Sequence, residues 1–175
     1  MGKSEIPECG CRVHRVTLSV REMYAICAIA GRRQIEVLGR ELREPGNRTD
    51  LERQLSDLFG VMGEAAVAKA FNVFYLGDTG LGEIDVPGIG RGLEVRTSRH
   101  HGPHYRLLIY DRDPPATPFV YATVEPGRGF PIEVWLHGVI LAETARRPEW
   151  FDAARLERPG YRVPHTALDP LVVAW

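Results

Sequence analysis

Residues 82–97 read GEIDVPGIGRGLEVRT, and the predicted fold depends most on this segment. Two short apolar segments flank a loop of proline, glycines and one arginine, a composition typical of a hairpin connection. In the register that places Val86 beside Leu93, one carboxylate of each strand faces the other. These carboxylates belong to Asp85 and Glu94. The segment therefore predicts a β-hairpin with an acidic pair.

Two carboxylates directly opposite each other on a hairpin repel. A divalent cation between them removes this cost, and hard ions such as Mg²⁺ prefer carboxylate oxygens while they keep several waters. A bound water can then attack a phosphodiester while the ion stabilises the developing charge. The alternative interpretation is structural: alternate positions of a half-buried strand face solvent, and Glu83 with Arg96 forms an ordinary cross-strand ion pair.

A third carboxylate precedes the hairpin in an alanine-rich segment, GEAAVAKA at 63–70. We expect Glu64 to lie near the start of a helix there, just before the sheet-rich part of the chain. The helix dipole is a structural explanation for an acidic residue at that position. The alternative is that Glu64 contributes to the same acidic site as the hairpin.

The order of a helix glutamate, a strand aspartate and then Glu-x-Arg on the next strand resembles the PD-(D/E)XK nuclease superfamily, the restriction-endonuclease-like fold. Within that superfamily the chain is similar to small phage and actinobacterial members. The resemblance runs from about Leu18 to Leu171 and depends on the order and spacing of its landmarks. These are GEAAVAKAFN at 63–72, IDV at 84–86, LEVRT at 93–97, YRLLIYDRD at 105–113, FVYATV at 119–124 and WLHGVILAETA at 135–145.

The resemblance implies a Mg²⁺-dependent DNA endonuclease or exonuclease that cleaves phosphodiester bonds, with Mn²⁺ as a substitute ion. Asp85 and Glu94 match the metal-ligand positions, and Glu64 matches the helix glutamate that often completes the site. The resemblance also implies a homodimer as one arrangement for cutting both strands. Neither an organic cofactor nor a membrane partner is expected.

Arg96 departs from the superfamily pattern, which usually has lysine at this position. Arginine stays protonated and cannot act as a general base, but it can stabilise charge on the phosphate or orient water. The chain's only lysines are Lys3 and Lys69, and Lys69 lies well round the helix from Glu64. The alternative function is therefore a catalytically inactive nuclease-fold module that binds nucleic acid or a protein partner, as a phage accessory or regulatory factor.

Nucleic-acid contacts are expected from basic residues around the hairpin and the next strand. The net charge of −1 means that any such surface is a local basic patch. The planar guanidinium of arginine suits phosphate contacts that position a protein on DNA. The alternative is a solvated loop. The candidates are Arg91, Arg99, His100, His101 and Arg106.

The N-terminal segment suggests a further, weaker site. Cys9, Cys11 and His14 resemble half of a zinc site, and the alternative is free thiols in a loose tail. Three cysteines in all argue against a disulfide framework, and no signal peptide or membrane-spanning run is apparent. We therefore expect a cytoplasmic protein.

The overall plan is α+β: a restriction-endonuclease-like core with a central mixed sheet flanked by helices, plus an N-terminal helical extension. A flexible tail, 1–16, precedes a single domain, 17–175. Its helical part is 17–72 and its sheet-rich part 73–175. Ser19 with Glu22, and then Thr49 or Asp50, predict helix starts, and Gly60 and Gly63 predict an interruption. Strands are expected at 73–76, 83–86, 93–97, 105–110, 119–124 and 130–136.

Overall fold

The computed structural model describes residues 13–39, 49–73, 75, 77, 92–99, 106–125, 130–153 and 159–172. They form an α+β fold with a mixed sheet, which confirms the predicted fold class in its coarse form. In chain order the elements are β1 His14–Leu18, α1 Val20–Gly39, α2 Asp50–Ala70, β2 Glu94–Arg99, β3 Arg106–Tyr110, β4 Pro118–Glu125, β5 Ile132–Leu141, α3 Ala142–Ala145, β6 Phe151–Asp152 and β7 Gly160–Pro164, with 3₁₀ turns at Pro148–Trp150 and His165–Ala167.

Helix α1 begins at the predicted cap, and Thr49, one of the two candidates, caps α2. The Glu22 carboxylate accepts hydrogen bonds from the backbone N–H and the hydroxyl of Ser19, at 2.7 and 2.6 Å. Thr49 and Glu52 form a complete capping box at the start of α2. Such boxes satisfy backbone N–H groups that have no partner inside the helix, so local sequence alone is enough to start these helices.

Helix α2 continues without a break through Gly60 and Gly63, so the predicted interruption is wrong. A Cβ at Gly63 would overlap the Thr97 hydroxyl on β2, whereas a Cβ at Gly60 would have its nearest neighbour 4.0 Å away. Glycine at position 63 therefore lets the helix approach the sheet closely. Packing against β2 outweighs the low helix propensity of glycine, about 1 kcal/mol.

The larger sheet has four strands in the order β1-β5-β4-β2. The β1–β5 and β5–β4 pairs are antiparallel, and β2 runs parallel to β4 with Glu94 beside Phe119. The smaller sheet is antiparallel, in the order β3-β7-β6. The predicted mixed sheet is thus confirmed, and β2, which carries the candidate site, lies at the end of the larger sheet in the described part of the chain.

The larger sheet packs its two faces against different layers. One face meets α1 and α2, and its core includes Val61, Val67 and Val95. The opposite face forms a second core that includes Leu107 and Phe119. The helices predicted as an extension are therefore one layer of the fold, and the smaller sheet contributes to the other. Because side chains alternate along a strand, Glu94 and Arg96 lie on the face opposite Val95.

The predicted tail and the strand predicted at 83–86 have different outcomes. Strand β1 begins at His14, inside the segment expected to be a tail, and 1–12 lie outside the described residues. The strand predicted at 83–86 also lies outside them, so the hairpin register stays a prediction. No helix in the described ranges is long and apolar enough to cross a membrane.

Candidate functional site

Glu94, the first residue of β2, lies in a partly desolvated and locally anionic setting. Its side chain is 27% exposed. Burial raises the pKa of Glu94; the guanidinium of Arg96 lowers it, and the negative charges of Asp113 and Glu64 raise it further. The net effect is a raised pKa, so the ionised carboxylate is less favoured here than in a solvent-exposed glutamate. A cation beside Glu94 would stabilise the ionised form.

Arg96 lies two residues further along the same face and is shared between two carboxylates. Its Nη2 is 3.2 Å from Asp113 Oδ1 and 3.8 Å from Glu94 Oε1. Its guanidinium carbon also lies 5.9 and 5.2 Å from the ring centroids of Tyr110 and Phe119, a range in which cation–π attraction operates. Arg96 is therefore held at a defined place beside Glu94.

Asp113 follows β3 and was given no role by sequence reasoning. Its carboxylate is buried, and Oδ2 accepts a hydrogen bond from the backbone N–H of Tyr110 at 2.8 Å. In the sequence, Asp113 is one of two aspartates in the turn DRD at 111–113, and nothing local distinguishes it from Asp111. Only the contact with Arg96, from 17 positions earlier in the chain, identifies it.

Glu64 lies within α2 and not near its start, so the helix-dipole explanation for this residue is wrong. It is 4% exposed. Arg33 Nη1 and Nη2 donate to its two carboxylate oxygens at 2.8 and 2.6 Å, and the Tyr75 hydroxyl donates at 2.6 Å. This bidentate arrangement is the strong form of an ion pair. Both oxygens of Glu64 are therefore already engaged.

Lys69 does not take the place of Arg96. Its ammonium donates to the Thr17 carbonyl at 2.8 Å and lies 2.7 Å from Glu22 Oε1. Burial raises the pKa of Glu22, but hydrogen bonds from Lys69 and Ser19 outweigh it, and the net pKa is lowered. Lys69 therefore joins α2 to the start of α1.

A polar group continues along the face that bears Glu94. The Ser98 and Tyr121 hydroxyls lie 2.7 Å apart, and Thr123 Oγ1 lies 2.8 Å from His137 Nε2. Between Tyr121 and Ala122 the β4–β5 register shifts, which makes His137 the extra residue of a β-bulge. Bulges redirect side chains and occur often beside functional sites. Sequence reasoning missed these residues because their contacts join three different strands.

The predicted nucleic-acid contacts divide into two groups. Arg99 and Arg106 are exposed at the end of β2 and the start of β3. Arg99 also lines a groove between β2 and α2, together with Ser56 and Phe59. The other predicted site residues lie outside the described part of the chain: Asp85, Arg91, His100, His101, Cys9 and Cys11.

Within the described ranges, no three His, Cys, Asp or Glu side chains lie together so that they could hold a metal ion. Asp85, the second ligand of the predicted pair, is not among those residues. No family model, no curated protein and no solved structure matches the chain. The functional interpretation therefore depends on the chain's own residues.

Proposed function

We propose that the chain is a divalent-metal-dependent deoxyribonuclease with a restriction-endonuclease-like core. Asp85 and Glu94 would hold Mg²⁺, with Mn²⁺ as a substitute, and Arg96 would stabilise charge on the scissile phosphate. The observation that carries the proposal is the setting of Glu94, a partly buried carboxylate with a raised pKa next to a second carboxylate and an arginine. Perturbed carboxylates of this kind are concentrated at functional sites.

The two described carboxylates of the proposed site, Glu94 and Glu64, differ in how readily they would bind a hard cation. Glu94 fits, because its carboxylate is desolvated and has an excess of negative charge nearby. Glu64 fits only after release from Arg33, which engages both of its oxygens. We therefore place Glu64 in a supporting role. A bound Mg²⁺ would supply an activated water and stabilise the charge that develops on the phosphate.

Arg96 has a role in this proposal that does not require proton transfer. Its guanidinium cannot accept a proton, but its planar N–H groups match phosphate oxygens. The contact of 3.8 Å with Glu94 is long for a hydrogen bond, so Arg96 is not bound tightly to Glu94 and would be close to a phosphate that approaches Glu94. Electrostatic stabilisation by one such donor contributes about 10²–10³-fold in rate.

The exposed arginines would place the DNA. Phosphate contacts set the register of a protein on a duplex without reading its sequence. Arg99 and Arg106 are exposed and available for this role, and Arg91, His100 and His101 are proposed to extend the same surface. A homodimer would allow both strands to be cut.

A second candidate function, the inactive nuclease-fold module, is favoured by a specific observation. Arg96 is paired with the buried Asp113, and Glu64 is paired with Arg33. Ion pairs of this kind also occur as purely structural contacts. Such a module would bind nucleic acid or a protein partner without cleavage.

The deciding experiment is a cleavage assay on linear, circular and single-stranded DNA with Mg²⁺, Mn²⁺ or EDTA. We expect metal-dependent cleavage by the wild-type protein and its loss in Asp85→Ala and Glu94→Gln. Glu133→Gln is the matched control, because Glu133 lies on β5 and pairs only loosely with Arg15, at 3.4 Å. The control should cleave as the wild type does.

Each other outcome selects a different conclusion. Folded protein that binds DNA but does not cleave it with either ion would replace the nuclease by the inactive module. Cleavage that survives in both variants would show that the acidic pair is not the active site. Circular dichroism of each variant separates loss of activity from loss of fold.

A further inference from the structure

Asp113 is a buried carboxylate to which the proposed reaction assigns no role. Among the described residues, Glu64 and Asp113 are the buried carboxylates, at 4% and 7% exposure. Glu64 has the bidentate contact with Arg33. Asp113 instead accepts from the Tyr110 backbone and contacts one nitrogen of Arg96. Since burial of an ionised carboxylate is costly, a charged partner is needed, and Arg96 is that partner.

The turn that carries Asp113 is fixed by a second arginine. Arg146, the residue that ends α3, donates through Nη2 to the backbone carbonyls of Tyr110, Asp111 and Asp113, the first two at 3.4 and 2.9 Å. Three carbonyls bound by one guanidinium hold the backbone of the turn in place. The Asp113 carboxylate therefore presents a rigid acceptor to Arg96.

The position of Arg96 matters because Glu94 lies near the same guanidinium nitrogen as Asp113. The same nitrogen, Nη2, is 3.2 Å from Asp113 and 3.8 Å from Glu94. Without Asp113, the guanidinium would have Glu94 as its one ion-pair partner among the described residues. An arginine bound closely to Glu94 would neutralise the carboxylate that a divalent cation needs.

We propose that Asp113 is the positioning residue of the site: it draws the Arg96 guanidinium away from Glu94, so that Glu94 stays open to a divalent cation while Arg96 stays within reach of a phosphate. This inference rests on the proposed function and deepens it. It also explains how an arginine is accommodated beside Glu94. Asp113 acts through Arg96 and touches neither metal nor substrate.

The test measures Mn²⁺ binding by calorimetry in the absence of DNA. We expect Asp113→Asn to weaken Mn²⁺ affinity by about 10-fold, the lower end for outer-shell changes at metal sites. The matched control is Asp152→Asn, since Asp152 lies on β6 and contacts Arg162 at 3.1 Å. The control should bind Mn²⁺ with unchanged affinity.

A double-mutant cycle separates positioning from a general charge effect. In an Arg96→Gln background, Asp113→Asn should cause no further loss of Mn²⁺ affinity, because the residue through which it acts is gone. An equal loss in both backgrounds would overturn the positioning role. Unchanged affinity in Asp113→Asn would overturn it as well.

A second variant keeps the test decisive if Asp113→Asn does not fold. Arg146→Gln removes the clamp on the same turn and leaves the carboxylate in place, and we expect it to weaken Mn²⁺ binding in the same direction. Unchanged Mn²⁺ affinity in this folded variant would then count against the inference.

The outcomes also separate this inference from the proposed function. Wild-type protein that binds Mn²⁺ but cleaves no DNA would overturn the nuclease and leave the effect of Asp113 measurable. Wild-type protein that binds no Mn²⁺ would overturn both. DNA cleavage combined with normal Mn²⁺ affinity in Asp113→Asn would overturn the inference alone.

Discussion

Two arginine–carboxylate clusters near β2 differ in how completely their charges are paired. Where α1 meets α2, Arg33 donates to both oxygens of Glu64, at 2.8 and 2.6 Å. On the opposite face of β2, Arg96 lies 3.2 Å from Asp113 and 3.8 Å from Glu94. Counted over the residues that the structure describes, the first cluster pairs one cation with one anion, and we call it closed. In the second, two of the described carboxylates share one guanidinium.

The comparison indicates that burial alone does not make a carboxylate available to a cation. The Arg33–Glu64 pair is compensated internally, so adding a cation there would require breaking a strong contact. Among the described residues, the Arg96 cluster has one carboxylate more than it has arginines within ion-pair distance, and the neighbouring Arg146 binds backbone carbonyls instead. Sensitivity to added cation is therefore expected at Glu94 and not at Glu64.

The largest effect is expected from Arg33→Ala, which breaks the closed cluster. The variant leaves the charge of Glu64 buried, which should lower the free energy of unfolding by about 3–5 kcal/mol. Urea denaturation measures this change. The control is Arg15→Ala, whose exposed pair with Glu133 should contribute about 0–1 kcal/mol. Equal losses of unfolding free energy in both variants would contradict the expectation that the buried pair contributes more than the exposed pair.

A smaller effect is expected where α2 touches β2. Gly63→Ala places a Cβ against Thr97 and should destabilise the protein by about 1–3 kcal/mol, as overpacking does. Gly60→Ala, in the same helix with open space around it, should stabilise by about 0.5–1 kcal/mol. Chemical denaturation of both variants provides the measurement, and Thr97→Ala should partly rescue Gly63→Ala. The same sign for both glycines would contradict this account.

The smallest effect on stability is expected from Glu94→Gln, in the cluster around Arg96. The pKa of Glu94 is raised above its ordinary value of 4.5. A raised carboxyl pKa contributes stability that is present below 4.5 and is lost as pH rises through the folded-state value. At pH 7 the glutamine variant should therefore melt higher than the wild type, on the order of 2 °C.

Lowering the pH and adding Mg²⁺ provide the controls for the Glu94→Gln prediction. At pH 4 the difference between Glu94→Gln and wild type should shrink, because Glu94 is then protonated. Added Mg²⁺ should raise the melting temperature of the wild type and not that of the variant, since a ligand stabilises the state that binds it. If the Glu94→Gln variant melts at a lower temperature than the wild type at pH 7, ionised Glu94 makes a stabilising contact instead.

Local sequence was sufficient for the elements whose signals are short-range. The predicted Ser19–Glu22 cap formed, and Thr49, one of the two cap candidates for α2, caps it together with Glu52. The two-residue period of a strand places Glu94 and Arg96 on one face of β2. Glycine propensity, also a local signal, failed at Gly63, because it carries no information about the neighbouring strand.

The partners of the candidate site were decided only by the tertiary structure. Arg33 reaches Glu64 across 31 positions of the chain, and Asp113 reaches Arg96 across 17. No spacing rule predicts such contacts, because they depend on how α1 packs on α2 and how the turn after β3 returns to β2. The sequence is enough to mark Glu64, Glu94 and Arg96 as candidate site residues, but it does not mark Asp113. Folding determines which of these charges lie close enough to neutralise each other, because Coulomb energies depend on distance and burial in space.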